Sequence, residues 1–510
     1  MNYGENNEYQ IEFRDSMLIL PKSLRDLCGA FKVVTVKSIF PFLFVNESNL
    51  NYIGEVTELK DFIDISKNDY SEYESKFNNN WNLKNESIKY CNIDCISLYQ
   101  IIYKFNEMIF NLFSVNIHKY PTLPSLALGI FRTNFMKDKN IPKLSGKIAK
   151  DIRNGYTGGS CDMYIPKFDN INNPEIKMKC FDVNALYPSQ MHSQMMPVGT
   201  PKYFEGDIRK IDPSAFGFFY CEIVAPDDIK HPIIQTHVKT NNGTRTIAPL
   251  GNWEDMIFSE EMDNALNYGY TFQILWGYTF EKENVFKDYV EFLYNLRLNY
   301  PKSDPMNFIA KILLNSLYGR FGMDDNLSEI MVIDKDYYSD FENKFFDNIE
   351  KLTDIGEYFL IEWKFDNNDQ NEKTHNINIS IAAAITAYSR IHMSQFKNNP
   401  KINLYYTDTD SIYTDSDIDP NFLNDKVLGK LKLENICDKA IFLSPKVYCL
   451  ETIDNEFIYK VKGLKHEIEM TMNDFKNLLS KDVSIEKSQE KWFRKVSEGK
   501  IKFLLEDYSI

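Results

Sequence analysis

The chain has 510 residues, 43% hydrophobic and 14% aromatic, enough for several domains and a substantial core. A formal net charge of −15 excludes nucleic-acid binding by bulk electrostatics alone, though not by Lys and Arg gathered into one channel. Eight cysteines without a C-x-x-C pair read as reduced intracellular thiols, and no apolar run, the best being 39–45, reaches the length of a membrane span.

Residues 12–31 read as strand, turn and helix: Leu18, Ile19 and Leu20 in the strand, Pro21 at the turn, and Leu24, Leu27 and Cys28 on the helix over 23–31. Residues 46–81, rich in Asn, Ser and acids, read as mostly loop. The period over 84–105 predicts a helix with Ile88, Cys91, Cys95, Leu98 and Ile102 as its apolar stripe, so that Cys91 and Cys95 serve packing rather than metal binding. Tyr90 and Asp94 fall at i and i+4 on a shared face, which taken alone is a polar helix edge. Residues 122–131 look helical. In 154–160, Gly158 and Gly159 beside Tyr156 allow close backbone approach to a ligand, and Lys147, Lys150 and Arg153 bring positive charge just before them. A plain flexible turn is the simpler alternative.

Residues 176–183 read as a strand with Lys177 and Lys179 on one face and Met178, Cys180 and Asp182 on the other. Pro188 suits the first turn of the helix that follows. Strands are expected over 216–224 and 271–278, and a helix over 259–268. Lys311, Asn315 and Tyr318 fall at i, i+4 and i+7 on one helix face, ended by Gly319 and Gly322. A cation, an amide and a phenol in one stripe suit an anion and a flat ring better than a core. Residues 324–376 are acidic and aromatic and read as an insertion, followed by a small-residue helix over 380–393. An apolar strand over 402–406 runs into Asp408 and Asp410 at or beside a tight turn. In extended backbone the two acids project together, and they repel unless a cation such as Mg²⁺ lies between them. An ordinary acidic turn is the alternative. Further strands are expected over 428–434 and 441–450, the second carrying Lys446 and Tyr448 on one face, where they could hold a phosphate and a sugar or base edge. Lys460, Lys462 and Lys465 follow around Gly463, and the last seventy residues look helical and mixed in charge.

Residues 182–189, 311–319 and 406–411 resemble motifs A, B and C of family B DNA polymerases, in the family's order. The third matches Y-x-D-T-D-S in full and the second K-x3-N-S-x-Y-G in full. The first departs at Asn184-Ala185, where a Ser or similar residue and its neighbour usually precede Leu-Tyr-Pro-Ser; the acid and the tyrosine are in place. The 154–160 stretch resembles the Y-x-G-G motif that contacts template. Lys446-x-Tyr448 resembles the K-x-Y motif that secures the primer terminus, and Tyr90-x3-Asp94 the third 3′–5′ exonuclease motif. Extra material between the motifs resembles the protein-primed subgroup, found in phages and linear plasmids.

The resemblance implies an α+β multidomain right-hand polymerase of palm, fingers and thumb, with a partial RNase H-like exonuclease domain at the N-terminus. Its expected parts are 1–115 (exonuclease-like), 116–195 (linker and first palm segment), 196–275 (an insertion for protein primer and DNA), 276–323 (fingers), 324–376 (second insertion), 377–435 (palm) and 436–510 (thumb). It implies two Mg²⁺ ions on Asp182 and Asp408, with Asp410 as a further ligand or neighbouring carboxylate. Lys311 would neutralise phosphate charge, helped by Arg297 and Lys302. Tyr187, Asn315 and Tyr318 would line the nucleotide pocket, and Tyr156, Gly158, Gly159, Lys446 and Tyr448 would touch DNA. The implied partners are template–primer DNA, dNTPs and a terminal protein primer, for a monomer without membrane segments in the mitochondrion, or alternatively on a cytoplasmic linear plasmid or in a virus or phage. Residues 1–90 hold no D-x-E, so the chain reads as beginning partway through the exonuclease domain, with proofreading lost. A reverse transcriptase would carry adjacent aspartates and lack the second motif. A nuclease without synthesis is disfavoured because the nuclease part is the incomplete one. A catalytically inactive DNA-binding remnant is the other alternative, and such remnants often lose motif acids that are all present here.

Overall fold

The computed structural model describes residues 14–510, apart from 36–37, 47, 64, 241–242, 324–328, 346–348, 355, 364–377, 466–467 and 496–499, together with two short strands, Asn2–Tyr3 and Tyr9–Gln10. They divide into two units: 1–138 with 288–317, and 139–287 with 318–510. Among the described residues no helix is long and apolar enough to cross a membrane.

The first unit contains a 31-residue helix, Leu83–Phe113, about 46 Å long at 1.5 Å per residue. Asn82 caps it by accepting the Asn85 N–H, and Ser114 ends it in a left-handed conformation. Its buried stripe is Tyr90, Ser97, Ile101, Phe105, Ile109 and Phe113. The expected stripe is therefore wrong: Ile88, Cys91 and Cys95 are exposed, and Leu98 and Ile102 are half-buried. Cys91 and Cys95 consequently do not serve packing. Apolar side chains occur all round this helix, and aromatic partners select the buried face. Phe31 meets Phe105 edge-on at 6.1 Å, and Phe292 meets Phe113 at 5.6 Å. The predicted helix over 23–31 forms as Leu24–Phe31, with Ser23 accepting the Asp26 N–H.

The strand expected around 18–20 does not form; its first residues, 12–13, lie outside the described ones. Asp15 accepts the Met17 N–H and turns the chain into a 3₁₀ helix, Ser16–Leu18. Within the loop-rich 46–81 there is a helix, Lys67–Glu74, and a short ladder between Ile53–Gly54 and Trp81–Asn82. The fully buried Trp81 donates its indole N–H to Tyr73 at 2.9 Å.

Among the described residues, the second unit is centred on an eight-stranded antiparallel sheet. Its order is Phe457–Val461, Val447–Thr452, Leu431–Ser444, Met178–Val183, Ser411–Thr414, Leu404–Asp408 and Cys161–Met163, with Lys167–Asp169 also pairing Leu431–Ser444. Both faces are covered. Tyr406, Tyr413 and Phe442 pack on one side, while Val183, Leu404 and Ile412 pack with Met393 and Phe396 on the other. The latter two belong to the helix Ile379–Lys397, which is buried over nearly its whole length and capped by Asn378. Its run of alanines gives the thin profile that such burial needs. A second antiparallel sheet joins Asn252–Phe258, Gly217–Val224, Thr271–Glu283 and Met196–Glu205.

In the acidic 324–376 stretch, Glu329–Asp334, Ile349–Asp354 and Tyr358–Trp363 form a small sheet beside the helix Lys335–Phe345; 324–328 and 364–376 lie outside the described residues. The helical reading of the last seventy residues is overturned. The segment is mostly strand, ending in the ten-residue pairs Glu486–Lys495 and Lys500–Ser509, and its described helix, Met472–Asn477, is short. Cross-strand pairing satisfies the backbone here and overrides the helical spacing of the charges.

Phe105→Ala tests the first unit's core. The side chain is fully buried, so its truncation is expected to lower stability by about 3–5 kcal/mol in urea unfolding.

Candidate active site

The acids meet because three neighbouring strands place them in register. Asp182, next to last on Met178–Val183, lies opposite Ser411, and Ser411 lies opposite Asp408, the last residue of Leu404–Asp408. Thr409 and Asp410 make the two-residue connection, Thr409 with a left-handed φ of 58°. The two acids do not project from one extended strand, as the i and i+2 argument expects. One closes a strand and the other sits in the reversal. The turn is clamped on both sides: the Thr409 N–H donates to the Ser160 carbonyl at 2.8 Å, and the Val183 N–H donates to the Asp410 carbonyl at 2.8 Å.

The glycine-rich loop presses directly on this turn. A Cβ at Gly159 would lie 2.5 Å from Thr409 Cγ2, so the approach needs glycine. Gly158 is exposed, and its carbonyl accepts from Arg390 Nη1 at 2.9 Å. Tyr156 turns inward. It interacts electrostatically with Tyr187 and Tyr318, whose rings lie 4.4 Å apart, and burial pushes all three phenols upward in pKa.

Lys446 and Tyr448 do not share a strand face. Pro445 and Lys446 form the turn between Leu431–Ser444 and Val447–Thr452, with Lys446 left-handed at φ 63°. Proline has no N–H for the ladder, so the expected strand breaks there. The Lys446 N–H donates to the Tyr406 phenol at 2.8 Å, and its ammonium reaches Asp408 Oδ1 at 2.7 Å. Tyr448 packs among Tyr406, Tyr413 and Phe442.

With that geometry in view, the family model described as DNA polymerase type B, organellar and viral, matches residues 2–403. The chain belongs to this family. A probable DNA polymerase of Ascobolus immersus is 41% identical over 495 residues, covering 94% of this chain and 40% of the relative. A probable DNA polymerase of Neurospora intermedia is 38% identical over 516 residues, covering 98% and 52%. The chain thus spans about half or less of the length of these relatives. The solved structure of phi29 DNA polymerase, complexed with primer-template DNA and incoming nucleotide substrates, matches with a TM-score of 0.66 at 19% identity, covering 97% of this chain and 79% of that one. This likeness is one of fold, and the expected α+β multidomain right-hand polymerase architecture is borne out.

The remaining expected residues of this family member lie in the first unit. On the helix Pro305–Phe321, Lys311 and Asn315 are exposed while Leu313, Leu314 and Leu317 are buried, so the polar stripe does face outward. Arg297 lies on the helix Lys287–Asn299, its carbonyl accepting from Asn307 at 2.8 Å, and Lys302 is exposed between the helices. Tyr90 stacks on Phe40 at 4.8 Å and interacts with Asp94.

Sequence reasoning missed the charges around the turn. Glu434 acts on both Asp182 and Asp410 as a like charge, and Lys460 lies 4.0 Å from Asp408. Arg390 makes a double contact with Glu261, both bonds 2.6 Å, and donates to the Thr157 carbonyl at 2.7 Å. An arginine inside an alanine-rich helix was the one signal for it.

Burial, Asp410 and Glu434 push the Asp182 carboxyl up to about 7. Burial, Asp408 and Glu434 push Asp410 up to about 6, against the pull of its own backbone N–H. Crowded hard oxygens of this kind fit a divalent cation. Among the described residues no three His, Cys, Asp or Glu side chains group closely enough to hold an ion unaided, and Asp408 is engaged by Lys446.

Both carboxyls bind protons more tightly folded than unfolded, where the value is about 3.9. Their stabilising contribution is complete below pH 4 and is lost as pH rises through 6 and 7. Without divalent ions, Asp182→Asn is expected to melt higher than the unaltered chain at pH 8, with little difference at pH 4.

Proposed function

We propose that the chain carries the synthetic activity of a template-directed DNA polymerase, adding dNMPs to a primer 3′-OH. The observation that carries this reading is the convergence of Asp182 and Asp410 on one clamped turn with Asp408, in a chain of this family. Asp182 and Asp408 would hold two Mg²⁺ ions, with Asp410 beside them. When bound, these would activate the attacking hydroxyl and steady the leaving pyrophosphate.

The chain's own residues supply the rest. Lys311 places a cation where phosphate charge grows, with Arg297 and Lys302 as helpers. Asn315 and Tyr318 would each meet the incoming nucleotide. Tyr187, its ring tilted against that of Tyr318 at 4.4 Å, would take the underside of the sugar and select against a 2′ hydroxyl. The Tyr156, Gly158 and Gly159 loop meets template, and Lys446 with Tyr448 holds the primer terminus. The partners are template–primer DNA and dNTPs. Replication primed by a terminal protein fits the subgroup, as does a place on a mitochondrial, plasmid or viral element.

Primer extension tests the reading. Asp182→Asn and Asp408→Asn are each expected to slow synthesis by at least about 10²–10³. Full synthesis by both variants would sink it, and an inert unaltered chain would point to a DNA-binding remnant. Tyr187→Ala should keep synthesis but admit ribonucleotides, scored by competition between rNTP and dNTP. With no dNTPs, the 510 residues by themselves should leave a 3′-mismatched primer intact, since Tyr90 and Asp94 offer one carboxylate where two-ion hydrolysis needs several. Shortening that disappears in Asp94→Ala would refute that.

A further inference from the structure

Behind the acidic turn lies a second set of charges, a buried lysine on a half-buried carboxylate. Lys397 ends the helix Ile379–Lys397 and is 4% exposed. Its ammonium donates to Asp162 Oδ2 at 2.9 Å and to the Ser160 hydroxyl. The Ser160 hydroxyl donates in turn to the same Asp162 oxygen, and Tyr164 adds its phenol at 3.3 Å. Burial alone would raise the Asp162 carboxyl, but Lys397 and the two hydroxyls outweigh it and hold it below the usual carboxylate range.

These contacts fall on the strand that pairs with the one leading into the turn. The Ser160 carbonyl receives the Thr409 N–H at 2.8 Å, and Cys161 pairs with Asp408 in the ladder. Lys397 therefore grips the side chains of residues 160 and 162, while the backbone between them grips Asp408 and Thr409. Gly159, tight against Thr409, leaves the strand no slack to take up a shift.

Stability alone does not explain a charge here. A buried ion pair typically gains no more than a well-packed apolar pair of the same volume, because desolvation offsets the attraction. What it does supply is one geometry in preference to its neighbours. A slide of this strand would move the Ser160 carbonyl and with it the amide held between two carboxylates.

The geometry points to Lys397 as a positioning residue: by clamping Asp162 and Ser160 it sets the Ser160 carbonyl, and so the placement of the Asp408-Thr409-Asp410 turn. Lys397 reaches the turn only through Ser160 and Asp162. The inference rests on the polymerase reading for its effect on rate, though not for its effect on the turn.

The test uses the full chain with Lys397→Met and Asp162→Asn combined, which removes both charges and leaves a neutral amide oxygen at position 162 to accept from Ser160 and Tyr164. The expected results are a melting temperature close to that of the unaltered chain, faster deuterium exchange in the 404–411 peptide, and single-turnover extension slower by roughly 10- to 100-fold with template–primer affinity little changed. Ser160→Ala, which removes one acceptor of Lys397 and no charge, should show the same two effects to a smaller degree, and it carries the test if the double variant does not fold. Unaltered exchange and rate in whichever variant folds would overturn the positioning role. If the unaltered chain extends no primer, the polymerase reading fails, and exchange at 404–411 still decides whether Lys397 sets the turn.

Discussion

Like charges held together are the constraint on which the second unit depends. Two carboxylates about 4 Å apart repel by about 4 kcal/mol at an effective dielectric constant of about 20. Something rigid has to resist that. Here it is backbone: the Thr409 N–H is fixed to Ser160 and the Asp410 carbonyl to Val183, one bond on each side of the turn. Thr409, Ala185 and Lys446 all take left-handed backbone around the site, each at a cost of about 1–2 kcal/mol. A sheet with both faces covered can carry such strain, because no local relaxation is open that does not disturb its neighbours.

The charges around the acids are arranged unevenly. Asp408 is met by Lys446 and Lys460, while Asp182 and Asp410 face each other and Glu434. One carboxylate of the three therefore has cations of the chain beside it, and the other two are crowded by like charge, which raises their affinity for protons. Behind the turn, the buried Arg390 and Glu261 pair with each other and the buried Lys397 pairs with the half-buried Asp162, since a buried charge needs a hydrogen-bonded partner. Both cations belong to the buried helix, which passes beneath the glycine-rich loop and the strand after it. That loop thus has two contacts of different kinds: backbone against the acidic turn on one side, and charged side chains of the helix on the other.

Some elements were misread from the sequence for identifiable reasons. Over 83–113 apolar residues lie on every face, so periodicity favours no single stripe, and Phe31 and Phe292 decide which side is buried. Lys446 looks like a strand residue because the β-formers Val447 and Tyr448 follow it, yet Pro445 before it favours the hairpin there. The last seventy residues carry charges at spacings that suit a helix, and their two longest strands are set by pairing with each other over ten residues.

The chemistry-bearing residues were legible because each motif is local. Asp408 and Asp410 are two residues apart, Lys311 and Asn315 one helical turn apart, and Gly158 and Gly159 adjacent, so their spacing alone carries the family's signature. The fold class came with that signature. What adjacency along the chain cannot encode is register between distant strands. That Asp182 lies opposite Ser411, that Ser160 holds Thr409 and that Lys397 bonds Asp162 are decided by pairing and burial across more than two hundred residues, and that Lys446 turns onto Asp408 across 38. A one-residue slip in any ladder would turn the acids to opposite faces, and only the packed sheet and its buried helix prevent it.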